Sequence, residues 1–510
     1  MTKHTLHAAA AAAALACLSA FGPAQGTAAG TGPAAPSARF VPGACPKTPE
    51  PIEALSTARC GYLEVPENRA RPAGRTIRLA VAVIEPASAE PAPDPVVFMA
   101  GGPGEDVFDD IPFLIDSGLN KDRELIVMAQ RGNLYDQPNL ACPEVDRADG
   151  KTVGFGWDAP EAKQLMLKAY QECHDRLTAD GTDLSSYNTT ENAADFADLR
   201  TALGIPQWNV YGYSYGTNLG LAYLRLHPQG IRALAIDSLS PPQVTILPWG
   251  WSSAREGLDT VLAACAAQPA CKSRYPGLDK TLDEQVAKLE ANPLTLNARP
   301  PGGGNPVEVV LDGGALLNMM VGFNVRPADL PAALEELGRG NPERFAQGRA
   351  KGSVQPVGLS AHGLTQSVAC AEWVPGTSEP DVLAAGREAF PGWPETVLAQ
   401  TPQLPFEYDV CKVWNVADNA ARHRVATVSS VPALVISGTF DMKTGASYAK
   451  DASRTLSRST SVLIPGIGHW VVPQSKCAQQ VLASFLARPT APDTGCVAGL
   501  TPAPFTITPK

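Results

Sequence analysis

Basic residues are in the minority in this 510-residue chain: 41 lysines and arginines stand against 51 aspartates and glutamates, for a formal charge of -10. No basic stripe of the kind that phosphate binding needs runs through it, which disfavours a nucleic-acid partner. Charged residues are sparse altogether, at 18%, while 44% are hydrophobic. A chain of this length and composition can bury a large core, so disorder is excluded. Neither C-x-x-C nor H-E-x-x-H occurs, and without such ligand spacings no metal or other cofactor is expected. Long apolar runs are missing too, since no segment beyond the N-terminus has the unbroken length to cross a bilayer.

What is present begins with residues 1–30, which read as a signal peptide: Lys3 in a short head, an Ala-rich apolar stretch from Ala8 to Leu18, then small residues around Ala24 and Ala28. That stretch is too short for a membrane span, and Ala14-Leu15-Ala16 ahead of Cys17 is a poor lipobox. The expected location is therefore secreted, extracellular or periplasmic. Of eleven cysteines, ten remain after Cys17. An even count in an exported chain suggests disulfides, and pairing between neighbours would join 45 with 60, 142 with 173, 265 with 271, 370 with 411 and 477 with 496.

After a Gly/Ala/Pro-rich lead-in over 31–44, Cys60–Val65 and Ile77–Ile84 alternate like early strands. Val96–Ala100 and Glu124–Ala129 are continuous apolar runs, as strands buried on both faces require. Glu191–Leu203 has helical period, with Ala194, Phe196, Leu199 and Leu203 on one face. Next come the strand ending near Tyr213, a helix over Asn218–Leu226 and a strand over Ile231–Ile236. Strand and helix alternate, which predicts an α/β protein with a mostly parallel, doubly wound sheet. From 241 to 428 the pattern becomes helical segments with Gly/Pro-rich joints, read as an inserted, mainly helical cap domain. The core, begun over 31–240, resumes over 429–497 with strands at Ala433–Ser437 and Ser461–Ile464 and a closing helix at Ser475–Leu486. A Pro/Thr-rich tail covers 498–510.

The chemistry centres on Gly212-Tyr213-Ser214-Tyr215-Gly216, the G-x-S-x-G pattern of a nucleophile elbow. Glycine at both flanks lets strand and helix approach while the serine is held in a strained turn, its hydroxyl exposed above the sheet. A serine nucleophile needs a base, and the seven histidines can be sorted. His4 and His7 leave with the signal peptide, His174 and His227 sit on helices, and His362 and His423 fall in the cap. His469, in Gly466-Ile467-Gly468-His469-Trp470 just past a strand, is the candidate base. Asp441, following the strand Ala433–Ser437, is the acid that would hold its tautomer. The order Ser, Asp, His is that of α/β-hydrolases. The oxyanion hole is expected from the N–H groups of Tyr215 and Gly102, the latter in Gly101-Gly102-Pro103-Gly104.

Together, Gly101-Gly102-Pro103-Gly104, Gln130-Arg131-Gly132, the elbow, Asp441 and Gly468-His469 resemble the prolyl and tripeptidyl aminopeptidase family of α/β-hydrolase serine peptidases, especially its secreted members. The likeness extends to Cys265, Cys271 and Tyr275-Pro276 and covers most of the mature chain. It implies hydrolysis of peptides near their free N-terminus through an acyl-enzyme on Ser214, with the cap limiting entry. It also implies that carboxylates in or near the cap hold the substrate's α-amine, and Glu372, just after Cys370, is the candidate. Ala129 stands where the family more often has Asp, and Glu105 follows the oxyanion loop where a small residue is common. Glu105 is thus a second candidate for an amine, or else a helix cap. Arg131 reads as an anchor for loops under the site. The same triad would also serve a carboxylesterase or lipase acting on small esters or amides, whereas a non-catalytic binding protein would have lost part of it. The substrate expected is a peptide or small acyl compound. The sequence carries no signal for an oligomeric state.

Overall fold

The computed structural model describes residues 38–508, and the expected signal peptide lies outside the described residues. Eleven strands follow in chain order: β1 (Arg39–Pro42), β2 (Arg59–Pro66), β3 (Thr76–Ile84), β4 (Val96–Met99), β5 (Leu125–Met128), β6 (Trp208–Tyr213), β7 (Ile231–Asp237), β8 (Leu294–Ala298), β9 (Val307–Leu311), β10 (Ala433–Gly438) and β11 (Ser459–Ile464). Nine of them form one sheet in the order β1-β2-β3-β5-β4-β6-β7-β10-β11. From β5 to β11 every pairing is parallel, and β1, β2 and β3 add antiparallel strands at one edge. The mostly parallel α/β sheet is as expected.

The strands that read as continuous apolar runs are the central ones, and every residue of β4, β5, β6 and β10 is buried. Helices cover both faces and supply two separate cores. On β3, for example, Leu79, Val81 and Val83 join one core while Ala80, Ala82 and Ile84 join the other, as the twofold repeat of a strand dictates. The closing helix, Lys476–Ala487, covers the second face through Val481, Leu482 and Phe485.

The helix Thr189–Ala202 differs from the sequence reading in which face it buries. Its buried side carries Asn192, Ala193, Asp195, Phe196 and Leu199, while Ala194 and Leu203 are only half-buried. Two polar residues lie on the inner face because they bind Arg131, a tertiary contact that overrides apolar periodicity.

Between β7 and β10 the chain is mainly helical, beginning with the long helix Ile246–Ala267. It also contains the antiparallel hairpin β8–β9, with Arg299-Pro300-Pro301-Gly302-Gly303-Gly304 forming its loop. The Gly/Pro joint was legible as a break but not as a hairpin turn. The C-terminal tail docks on this inserted region: Phe505 is buried, and the N–H of Thr506 donates to the carbonyl of Ala328 at 3.0 Å. All five neighbour pairings of the cysteines are formed, Cys45–Cys60, Cys142–Cys173, Cys265–Cys271, Cys370–Cys411 and Cys477–Cys496.

Candidate active site

The strand β6 turns into the helix Tyr215–Leu226 at Ser214, whose backbone has φ 53° and ψ -127°. This left-handed conformation is costly for a side chain other than glycine and persists only where the surroundings impose it. Here the surroundings do so at close range. A Cβ on Gly216 would lie 2.0 Å from the carbonyl oxygen of Met99, and one on Gly212 would lie 2.4 Å from that of Gly216. The Ser214 N–H donates to the carbonyl of Asp237 at 3.0 Å, and the Ser214 carbonyl accepts from the N–H and hydroxyl of Thr217 at 2.9 and 2.6 Å.

Ser214 and His469 line one cavity of about 180 Å³, together with Gly102, Glu105, Tyr213 and Tyr215. His469 follows β11, and its Nδ1 is 2.9 Å from Oδ2 of Asp441. Asp441 follows β10 and is buried at 1% exposure. Its Oδ1 accepts from the N–H groups of Lys443 and Thr444 at 2.8 and 3.0 Å, and its Oδ2 also accepts from the Thr444 hydroxyl at 2.7 Å. Burial alone would raise the Asp441 carboxyl; the charge and hydrogen bond of His469 and the donors from Thr444 outweigh it, and the pKa lies below the ordinary value. With Nδ1 committed to Asp441, the other ring nitrogen is available to take a proton.

Gly102 and Tyr215 both face the cavity. Glu105 is exposed and accepts from the Tyr213 hydroxyl at 2.8 Å through Oε2. Tyr213 stacks on Trp470 with ring centroids 4.2 Å apart, so elbow and histidine loop are in direct contact.

Glu372 departs from its expected place. It does not line the cavity, although its neighbour Trp373 does. Its side chain is fully buried and accepts from the N–H and hydroxyl of Thr189 at 2.8 and 2.5 Å and from Nδ2 of Asn419 at 3.2 Å. A carboxylate at the N-terminus of the helix Thr189–Ala202 is favourable to the helix dipole, and three donors from within the protein already occupy it, with Nδ1 of His423 3.4 Å from Oε2. The Thr189 hydroxyl also bonds that of Tyr215 at 2.8 Å. Glu372 is thus buried against Thr189 and Asn419, away from the cavity where the expected α-amine role would place it.

Three supporting residues were not anticipated. Asp237, at the end of β7, accepts from the N–H groups of Val471 and Val472, both at 2.8 Å, and Ser238 Oγ accepts from the N–H of Trp470 at 2.9 Å. These bonds hold the loop carrying His469. Burial pushes the Asp237 carboxyl up to about 6 despite those donors. Thr444 is the third, as its hydroxyl donates to Asp441 and stands 3.2 Å from Nδ1 of His469. A carboxylate ending an apolar strand was the available signal for Asp237, and Asp441-x-x-Thr444 is a side-chain turn pattern.

Arg131 lies beneath the site with no exposure. It meets both oxygens of Asp195 at 2.8 Å and donates to the carbonyls of Glu67 and Ser186, each at 2.7 Å. Removing one partner of a buried ion pair typically costs about 3–5 kcal/mol. Arg131→Met is expected to lower stability toward that range, moderated because Arg69 still reaches Asp195 at 2.6 Å. Urea denaturation would report it as a lower midpoint at unchanged slope, and a midpoint equal to the wild type would refute this anchoring role.

Residues 94–269 match the family model described as alpha/beta hydrolase fold, and residues 399–498 match that of TAP-like protein. Serine protease Hip1 of Mycobacterium tuberculosis is 24% identical over 474 residues, covering 86% of this chain and 86% of its own. Tripeptidyl aminopeptidase of Streptomyces coelicolor is 28% identical over 211 residues, covering 38% of this chain and 36% of its own. The corresponding enzyme of Streptomyces lividans is 28% identical over 220 residues with the same shares, 38% and 36%. The resemblance drawn from the motifs is borne out by these matches, and the chain has the α/β-hydrolase fold.

Proposed function

We propose that this chain, an α/β-hydrolase similar to serine peptidases and tripeptidyl aminopeptidases, is a secreted serine exopeptidase that cleaves near the free N-terminus of peptides. The observation that carries the proposal is the single cavity holding Ser214 and His469, with Asp441 bonded to the far side of the imidazole. In the reaction, Ser214 Oγ attacks the scissile carbonyl as His469 takes its proton, and Asp441 stabilises the resulting imidazolium. The N–H groups of Gly102 and Tyr215 receive the developing oxyanion. His469 then protonates the leaving amine, and water attacks the acyl-enzyme by the same route in reverse.

Peptidase-named relatives favour an amide substrate over an ester. Glu105, solvent-exposed on the cavity wall, is the carboxylate proposed to meet the substrate's α-ammonium group. Five disulfides support an oxidising, extracellular setting.

The test compares peptide anilides with free N-termini, the same peptides acetylated, and short-chain esters. Free-amine anilides are expected to be cleaved with kcat/KM at least about tenfold above the acetylated ones, as loss of a charge-assisted contact implies. Equal rates on blocked peptides, or hydrolysis of esters alone, would exclude an exopeptidase and leave the esterase reading.

A further inference from the structure

A second cavity, of about 410 Å³, adjoins the first, with Thr365, Gln403 and Leu404 facing both. Its wall carries a cation that no carboxylate neutralises by contact. Arg349 is 7% exposed. Its Nη2 donates to the carbonyls of Thr152 and Phe155 at 3.0 and 3.3 Å, and its buried Nε has no partner. The guanidinium lies 5.8 Å from the ring centroid of Trp157. Among the described residues no ion pair within 4.0 Å includes it. Burial lowers its pKa, with Asp312 and Asp149 working the other way, and an arginine so placed still keeps its proton across the neutral range.

The acids around this cavity do not serve as its counter-ion. Asp312 is occupied at the start of the helix Gly313–Val321, accepting from the N–H groups of Trp157 and Ala315 at 2.6 and 2.7 Å. Asp149 and Glu407 face the cavity but lie beyond ion-pairing distance of Arg349. Burial raises both carboxyls, that of Glu407 to about 7 with Gln366 as its donor, while His362 and Arg349 partly offset the rise at Asp149. His362 is itself tied to Asp146 at 2.8 Å. Burial thus works against charge on Asp149 and Glu407, whereas Arg349 keeps its proton. A buried charge without a partner is expensive, and a guanidinium is shaped to receive a carboxylate through two parallel hydrogen bonds.

We infer that the second cavity is a substrate subsite in which Arg349 holds a carboxylate carried by the peptide. The inference rests on the peptidase reading of the adjoining cavity. The carboxylate has two possible sources: an Asp or Glu side chain in the segment N-terminal to the scissile bond, or the free C-terminal carboxylate of a short peptide.

Two substrate series on the purified full-length protein separate them. The first uses free-amine peptide anilides, which lack a C-terminal carboxylate, with Asp or Glu compared with Asn or Gln at each position upstream of the bond. The second uses short peptides with free or amidated C-termini. One series is expected to show kcat/KM at least about tenfold higher for the carboxylate-bearing member, and that series names the source. In Arg349→Gln the preference should fall to near parity while neutral substrates keep their rates, and Arg349→Lys should retain part of it. Parity in both series while neutral anilides are hydrolysed would overturn the subsite and leave the peptidase reading standing. Absence of any peptide hydrolysis would remove both. The wild-type comparison needs no variant, so a misfolded Arg349→Gln cannot shield the inference.

Discussion

Ser214→Ala is expected to lower kcat by about six orders of magnitude, the loss that follows when a triad nucleophile is removed. A residue of catalysis, about three to four orders above water, should survive from the oxyanion donors and substrate binding. The variant should fold normally, because alanine inherits the same φ of 53° and ψ of -127° and no hydrogen bond of the elbow depends on the hydroxyl. The strain itself can be read separately. Ser214→Gly should also be inactive yet unfold at higher denaturant, since a positive-φ residue other than glycine stores about 1–3 kcal/mol. Labelling by a fluorophosphonate, single-turnover kinetics and urea midpoints on the three proteins measure all of this. Activity in Ser214→Ala, or covalent labelling at another residue, would place the nucleophile elsewhere.

Asp441→Asn is expected to cost about four orders of magnitude in kcat with little change in KM. The reason lies in the surroundings of the carboxylate. Two backbone donors, the N–H groups of Lys443 and Thr444, converge on Oδ1. In the variant they would select the amide oxygen for that position and turn the amide nitrogen toward His469. An N–H facing Nδ1 forces the imidazole proton onto the other nitrogen, which then cannot accept from Ser214. The sign of the pH dependence follows from the folded pKa of Asp441 being depressed. Its contribution to stability is fully present above the unfolded carboxyl value of about 4 and is lost as pH falls through the lower folded value. At neutral pH the wild-type carboxylate is charged, and acid unfolding should be shallower in Asp441→Asn. A kcat within about tenfold of the wild type would show that the carboxylate does not orient the base.

The sequence announced those parts of the molecule whose physics is local. Unbroken apolar runs are what strands covered on both faces must have, so β4, β5, β6 and β10 were legible one by one. The elbow was legible because only glycine fits where Gly212 and Gly216 meet neighbouring backbone at less than 2.5 Å from a would-be Cβ. Cysteines close in the chain found each other, since the shortest loops cost least to close. His469 and Asp441 could be picked out because each follows a strand, and in a parallel sheet successive strand ends lie side by side.

Tertiary structure decided whatever depends on which distant groups come into contact. Glu372 and Glu105 are both glutamates beside recognisable motifs, and nothing local distinguishes them. One is sealed under the helix Thr189–Ala202 by Thr189 and Asn419, and the other opens onto the cavity. The inward-facing Asn192 and Asp195 look like surface residues until Arg131 arrives from β5's far end to bind them. Asp237 became a support of the histidine loop only when β7 and the turn after β11 met across β10. Arg349 is one arginine among many in the chain, and what singles it out is burial beside a cavity with no carboxylate in contact. Sequence therefore determined the fold class and the candidate reacting groups, because backbone sterics and hydrophobic period are written in neighbouring residues. Which charged groups are spent inside the protein and which are left for a substrate is a property of long-range contacts, and only the folded chain carries it.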